Sequence, residues 1–218
     1  MASALAVAAA LPAQAIEPVF TFADLNTLTG LDGDWYGYRS ADRFIISNAV
    51  SDTAIYYIAF NDLDAQLSLT VDAELIASDP TSAVGLFCCR QEEAGPYLVV
   101  MLEPGGNIGV WKIDTRTGDA SSVMSVGGAT ADPSRAEITM IETADGMDIL
   151  IDGTSVGSYG DGDLRAGKSG LFFWGTGVMA VNDFNLYEGD LQASSNGGSG
   201  FWKGLRQESA QDTVAPAN

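Results

Sequence analysis

Tyr97 to Asp114 reads YLVVMLEPGGNIGVWKID. An apolar run, Tyr97 to Leu102, is followed by Pro104-Gly105-Gly106-Asn107 and then by a second run, Ile108 to Ile113. Pro and Gly together mark a tight turn, because Gly supplies the positive φ that such turns need. The stretch therefore reads as a β-hairpin. Its first strand is apolar at successive positions, and so are Val84 to Cys89 and Leu171 to Trp174. Strands look like this at the centre of a sheet, when one face meets the core and the other is covered or lines a ligand cleft.

Strand periodicity continues on both sides. Leu67, Leu69, Val71, Ala73 and Leu75 alternate with Ser68, Thr70, Asp72 and Glu74, the period of two that half-buries a strand. Ile138 and Met140 alternate with Glu137 and Thr139, Met147, Ile149 and Ile151 alternate with Asp148 and Asp152, and Ala144-Asp145-Gly146 between the two runs predicts a second hairpin. Asp152-Gly153 turns the chain into a further short strand, Val156 to Tyr159. Roughly a dozen short strands at turn spacings of about 8–12 residues, with no amphipathic helix and no internal repeat, predict an all-β sandwich or barrel.

Length and composition agree with one domain. The chain has 218 residues, 46% of them hydrophobic, enough to bury one full-sized core. Ten Lys and Arg against 29 Asp and Glu leave a formal charge of -19, which repels nucleic-acid phosphates and anionic membranes. Met1 to Ala15 is almost wholly apolar and ends in Ala13-Gln14-Ala15, the small-x-small pattern of signal-peptidase cleavage, although it lacks a basic n-region. Residues 1–15 thus read as a signal peptide, with a secreted, periplasmic or extracellular protein starting at Ile16. No stretch reaches the about 20 apolar residues that a membrane-spanning helix takes.

The folded unit is expected over 16–190, because Ser195-Asn196-Gly197-Gly198-Ser199-Gly200 has the composition of a flexible linker. Beyond it, Phe201, Trp202 and Leu205 stand with Lys203 and Arg206. This segment reads either as a docking peptide for a protein partner or as a tail that packs back on the domain. Cys88 and Cys89 are adjacent. Neighbouring strand residues point to opposite faces, so the pair reads either as two buried, inert thiols or as a strained vicinal disulfide.

Four segments carry a resemblance: Ser82 to Arg90 (SAVGLFCCR), Tyr97 to Asp114, Arg135 to Tyr159 (RAEITMIETADGMDILIDGTSVGSY) and Gly167 to Tyr187 (GKSGLFFWGTGVMAVNDFNLY). Their order and turn placement resemble the concanavalin A-like superfamily, in particular laminin G-like and keto-glycoside-hydrolase-like domains. The resemblance implies a two-sheet antiparallel jelly-roll sandwich, a fold that hosts lectins, binding modules and hydrolases alike. Laminarinase-type members share a Glu-x-Asp-x-x-Glu strand with paired carboxylates, and no predicted strand here has that spacing. Glu92-Glu93 falls in a loop, and Glu137 and Glu142 point to opposite faces. With no His in the chain, Ser-His-Asp and Cys-His arrangements are excluded within it.

Sugar-binding surfaces set aromatic rings against pyranose faces, with polar groups nearby. Arg90, Tyr97, Trp111 and Trp174 form such a set if their strands adjoin across the concave sheet; each would otherwise serve as a core, sheet-edge or snorkelling residue. Trp35-Tyr36-Gly37-Tyr38-Arg39 adds aromatics on an early strand. Asp32, Asp34, Asp161 and Asp163 offer hard oxygen ligands in Asp-Gly-Asp turns, so structural calcium is the one candidate cofactor, although neither turn has EF-hand spacing. The sequence thus points to a non-catalytic extracytoplasmic binding or structural module for glycans or a surface polymer. A glycoside hydrolase-like enzyme and an envelope scaffold docking through its tail are the alternatives.

Overall fold

The computed structural model describes residues 17–30, 33–60, 67–91, 95–143, 146–160, 164 and 167–188. The strands in chain order are β1 (Phe20–Thr21), β2 (Leu28–Thr29), β3 (Trp35–Ser40), β4 (Arg43–Asn48), β5 (Ala54–Phe60), β6 (Leu67–Ser78), β7 (Ala83–Arg90) and β8 (Pro96–Glu103). They continue as β9 (Asn107–Asp114), β10 (Ala120–Val126), β11 (Arg135–Thr143), β12 (Gly146–Ile151), β13 (Thr154–Tyr159), β14 (Lys168–Trp174) and β15 (Gly177–Glu188). A single 3-10 turn, Phe22–Asp24, is the one helical element among the described residues.

Two antiparallel sheets result, in a sandwich of jelly-roll type. The nine-stranded sheet runs β13-β12-β11-β6-β15-β4-β3-β2, with β1 paired to β15. The six-stranded sheet runs β10-β9-β8-β7-β14-β5. The chain changes sheet repeatedly, for instance from β4 to β5 and back to β6, so each sheet is woven from distant segments. The three doubly apolar runs of the sequence, in β7, β8 and β14, are adjacent strands inside the six-stranded sheet.

Alternation decides the core. On β6, Leu67, Leu69, Val71, Ala73 and Leu75 are buried, and they belong to one cluster with Val84, Leu86, Leu98, Val100, Leu102, Ile108, Val110, Leu171 and Phe173 of the other sheet. The predicted hairpins at 104–107 and 152–153 join β8 to β9 and β12 to β13, with Gly105, Gly106 and Gly153 at positive φ. A second apolar cluster lies on the opposite face of the six-stranded sheet. It contains Ala83, Phe87, Tyr97, Val99, Met101 and Phe172, with Ala54, Tyr56, Trp111, Ile113 and Trp174 packed around them.

Candidate functional site

Cross-strand register orders that outer face into rows. Trp174 pairs with Ala54 on one side and Ala83 on the other, and Glu103 pairs with Asn107. Val84 pairs with Leu102, which sets Ala83 level with Glu103. The first row is therefore Ala54, Trp174, Ala83, Glu103 and Asn107. The next row along the strands is Tyr56, Phe172, Gly85, Met101 and Gly109, and Trp111 pairs with Val99 in the row after.

A cleft of about 340 Å³ opens over the first of these rows. Ala83 and Met101 are its buried floor, and the half-buried rings of Trp111 and Trp174 line it. Glu103, Pro104 and Asn107 complete one side, and Pro80, Thr81 and Ser82 the other. Its volume lies at the low end of the range for small-ligand sites, and polar and apolar groups share its lining about equally. Trp111 reaches it by leaning along its strand: its indole Nε1–H donates to Glu103 Oε1 at 3.0 Å. Gly109 makes room for that bond, since a Cβ there would overlap the Glu103 carboxylate and lie 2.6 Å from Trp111 Nε1. The bond fixes the ring plane and leaves the second carboxylate oxygen as an acceptor.

The opposite rim is equally built. Asp79 Oδ1 accepts from the Thr81 backbone N–H and from its hydroxyl, both at 3.1 Å. These bonds, the Thr81 backbone N–H foremost, hold the Asp79 carboxyl below its ordinary range. Ser82 Oγ accepts from Asp79 N at 3.0 Å and donates to the Thr176 carbonyl. Gly175, at φ +76, lets that turn sit against residues 81 and 82, where a Cβ would come 2.9 Å from the Thr81 carbonyl oxygen. Buried Asn48 donates to the Gly175 carbonyl at 2.7 Å, tying the turn back to β4.

Arg90 and Tyr97 share the outer face with the two tryptophans but stand at its other end, outside the cleft lining. The Arg90 guanidinium lies 4.5 Å from the Tyr56 ring centroid and 5.8 Å from that of Tyr97. Tyr97 is 4% exposed, and its hydroxyl is 2.6 Å from that of Tyr56. Burial, and then the bond to Tyr56, push its phenol far above the ordinary range. Strict alternation would send Arg90 to the core. It reaches the aromatic face because Cys89 adopts φ +68 at a bulge, where Arg90 and Phe87 pair with Lys168 and Gly170 of β14.

Neither a family model nor a curated protein matches the sequence. Among solved structures, the fold is shared. A protein described as a native glycosidic hydrolase aligns with a TM-score of 0.50 at 10% identity, over 69% of this chain and 80% of its own. The carbohydrate-binding module CBM66 from Bacillus subtilis aligns at 0.48 and 14% identity, over 79% and 96%. A Bacillus licheniformis β-glucanase aligns at 0.46 and 9% identity, over 76% and 83%. The first of these, at 10% identity, shares the sandwich fold and shows nothing beyond it.

Glu103, Asn107 and the 80–82 rim were not singled out in the sequence. They meet the tryptophans only through register, and Glu103 directly before Pro104-Gly105-Gly106 was the available signal: a carboxylate at a strand end beside a turn. Tyr36 and Tyr38 are exposed and stacked at 5.7 Å, but on the nine-stranded sheet, away from the cleft. Asp34 is exposed, and its backbone carbonyl accepts from Ala49 N. Asp32, Asp161 and Asp163 lie outside the described residues, as do Glu92, Glu93 and the tail residues Phe201, Trp202, Lys203, Leu205 and Arg206. No group of three or more metal-ligating side chains occurs among the described residues.

Proposed function

We propose that this protein is an extracytoplasmic, non-catalytic glycan-binding module whose ligand occupies the Trp111–Trp174 cleft. The observation that carries the reading is the cleft itself: two half-exposed indoles beside Glu103 and Asn107 on an otherwise apolar sheet face. A pyranose is amphipathic, with C–H faces that stack on aromatic rings and hydroxyls that need hydrogen-bond partners at its edge. The indoles suit the first requirement, and the free Glu103 oxygen and the Asn107 amide suit the second. The small-x-small motif at 13–15 supports export, and the shared sandwich fold is compatible with a sugar ligand.

Among the described residues, Glu103 is the only carboxylate in the cleft lining, where hydrolysis by acid–base catalysis uses two. That favours binding over turnover. The reading is tested on a glycan array with residues 16–218, in calcium and in chelator, followed by calorimetric titration of Trp111→Ala and Trp174→Ala. Each substitution is expected to weaken binding at least tenfold, about 1.4 kcal/mol or more, without loss of the folded transition. Binding that survives both substitutions would move the site off this cleft, and turnover of a bound glycan would replace the module with an enzyme.

A further inference from the structure

The two adjacent cysteines do not point to opposite faces. Cys88 and Cys89 are 1% and 6% exposed, and both belong to the core cluster between the sheets. The cause is the bulge: φ +68 at Cys89 reverses the alternation for one residue and turns its side chain to the side that Cys88 already occupies. Both are free thiols in this structure, and the Cys89 thiol donates to Cys88 Sγ at 3.0 Å, a short contact for two thiols. A non-glycine residue in the left-handed region needs a compensating reason. The bulge is held tightly, since Gly167 packs so closely that a Cβ there would lie 2.7 Å from the Cys89 carbonyl carbon.

We propose that Cys88 and Cys89 are a covalent modification site, closed into a vicinal disulfide by exchange with a low-molecular-weight disulfide. One thiolate attacks the disulfide reagent and releases one thiol. The second cysteine thiolate then attacks the mixed disulfide and releases the other. Two cysteine thiols are oxidised and one reagent disulfide is reduced to two thiols, which carry the two protons. Burial, reinforced by the neighbouring Cys89, pushes the Cys88 thiol well up, so in the folded protein it stays protonated and unreactive. Exchange therefore takes place while the strand is being laid down, before the sandwich closes over the sulfurs. The closed ring would lock the bulge that places Arg90 over Tyr56 and Tyr97.

The test refolds the full chain from denaturant in a mixture of reduced and oxidised glutathione. The product is then alkylated with N-ethylmaleimide in fresh denaturant, with and without prior reduction, and its intact mass is measured. Monomer that takes no label before reduction and two labels after it, and that is lighter by two hydrogens than the reduced chain, is the expected result. Two labels without reduction, a retained glutathione adduct, or a disulfide-linked dimer would each overturn the proposal. The outcome is independent of glycan binding, so it stands or falls apart from the cleft.

Discussion

At the scale of single residues, the cleft depends on an absent side chain. Gly109 leaves the space through which the Trp111 indole reaches Glu103, and a methyl group there would press on the ends of both side chains rather than on backbone. Gly109→Ala is therefore expected to leave the hairpin intact and break the indole–carboxylate bond. Glycan affinity by calorimetry should fall about tenfold, equivalent to about 1.4 kcal/mol, with a small decrease in Tm. Unchanged affinity would mean that the ring is held by something other than Glu103. Trp111 and Trp174 stood out in the sequence because they follow or end strand runs of distinctive pattern. Glu103 and Asn107 did not, because a carboxylate and an amide flanking a turn are ordinary turn residues until register sets them beside an indole.

At the scale of elements, the 79–82 rim is organised by one carboxylate. Asp79, like Asp114 and Asp132, has its carboxyl lowered by local backbone N–H donors, from Thr81, Thr117 and Ser134 respectively. A lowered folded-state value means that the stabilisation is complete above the ordinary aspartate value of 3.8 and is lost as pH falls through the lowered one. The contribution of these three carboxylates should thus hold to about pH 4 and then decline, against the opposite trend of Glu142 and Asp183, whose carboxyls burial raises, so Asp79→Ala combined with Asp114→Ala and Asp132→Ala should make the acid limb of the calorimetric Tm shallower than in the parent. An acid limb as steep in the triple variant as in the parent would refute this assignment. The strands themselves were legible: the alternation from Leu67 to Leu75 is β6, and the three doubly apolar runs became adjacent inner strands. The bulge was not legible, because Cys88-Cys89-Arg90 contains no glycine to announce a left-handed residue. That one conformation changes which way Cys89 and Arg90 face.

At the scale of the molecule, a sandwich woven from distant strands presents one sheet face that is apolar without being part of the inter-sheet core. Its two ends differ. One holds the cleft, and the other packs Arg90 on Tyr56 and Tyr97, where the guanidinium is in contact with rings and Tyr97 is buried. The four residues singled out as a sugar-binding set thus share a face but divide between these ends, because sequence patterning specifies face and leaves position along the strand to register. On the proposed glycan-binding reading, the formal charge of -19 disfavours polyanionic glycans relative to neutral ones. The most direct test uses the four indole N–H resonances of the full chain, one for each tryptophan, followed during titration with a glycan identified on the array. Movement of the Trp111 and Trp174 resonances, with Trp35 on the other sheet unmoved, is the predicted result. Saturable binding that leaves Trp111 and Trp174 unperturbed would contradict the assignment of the cleft.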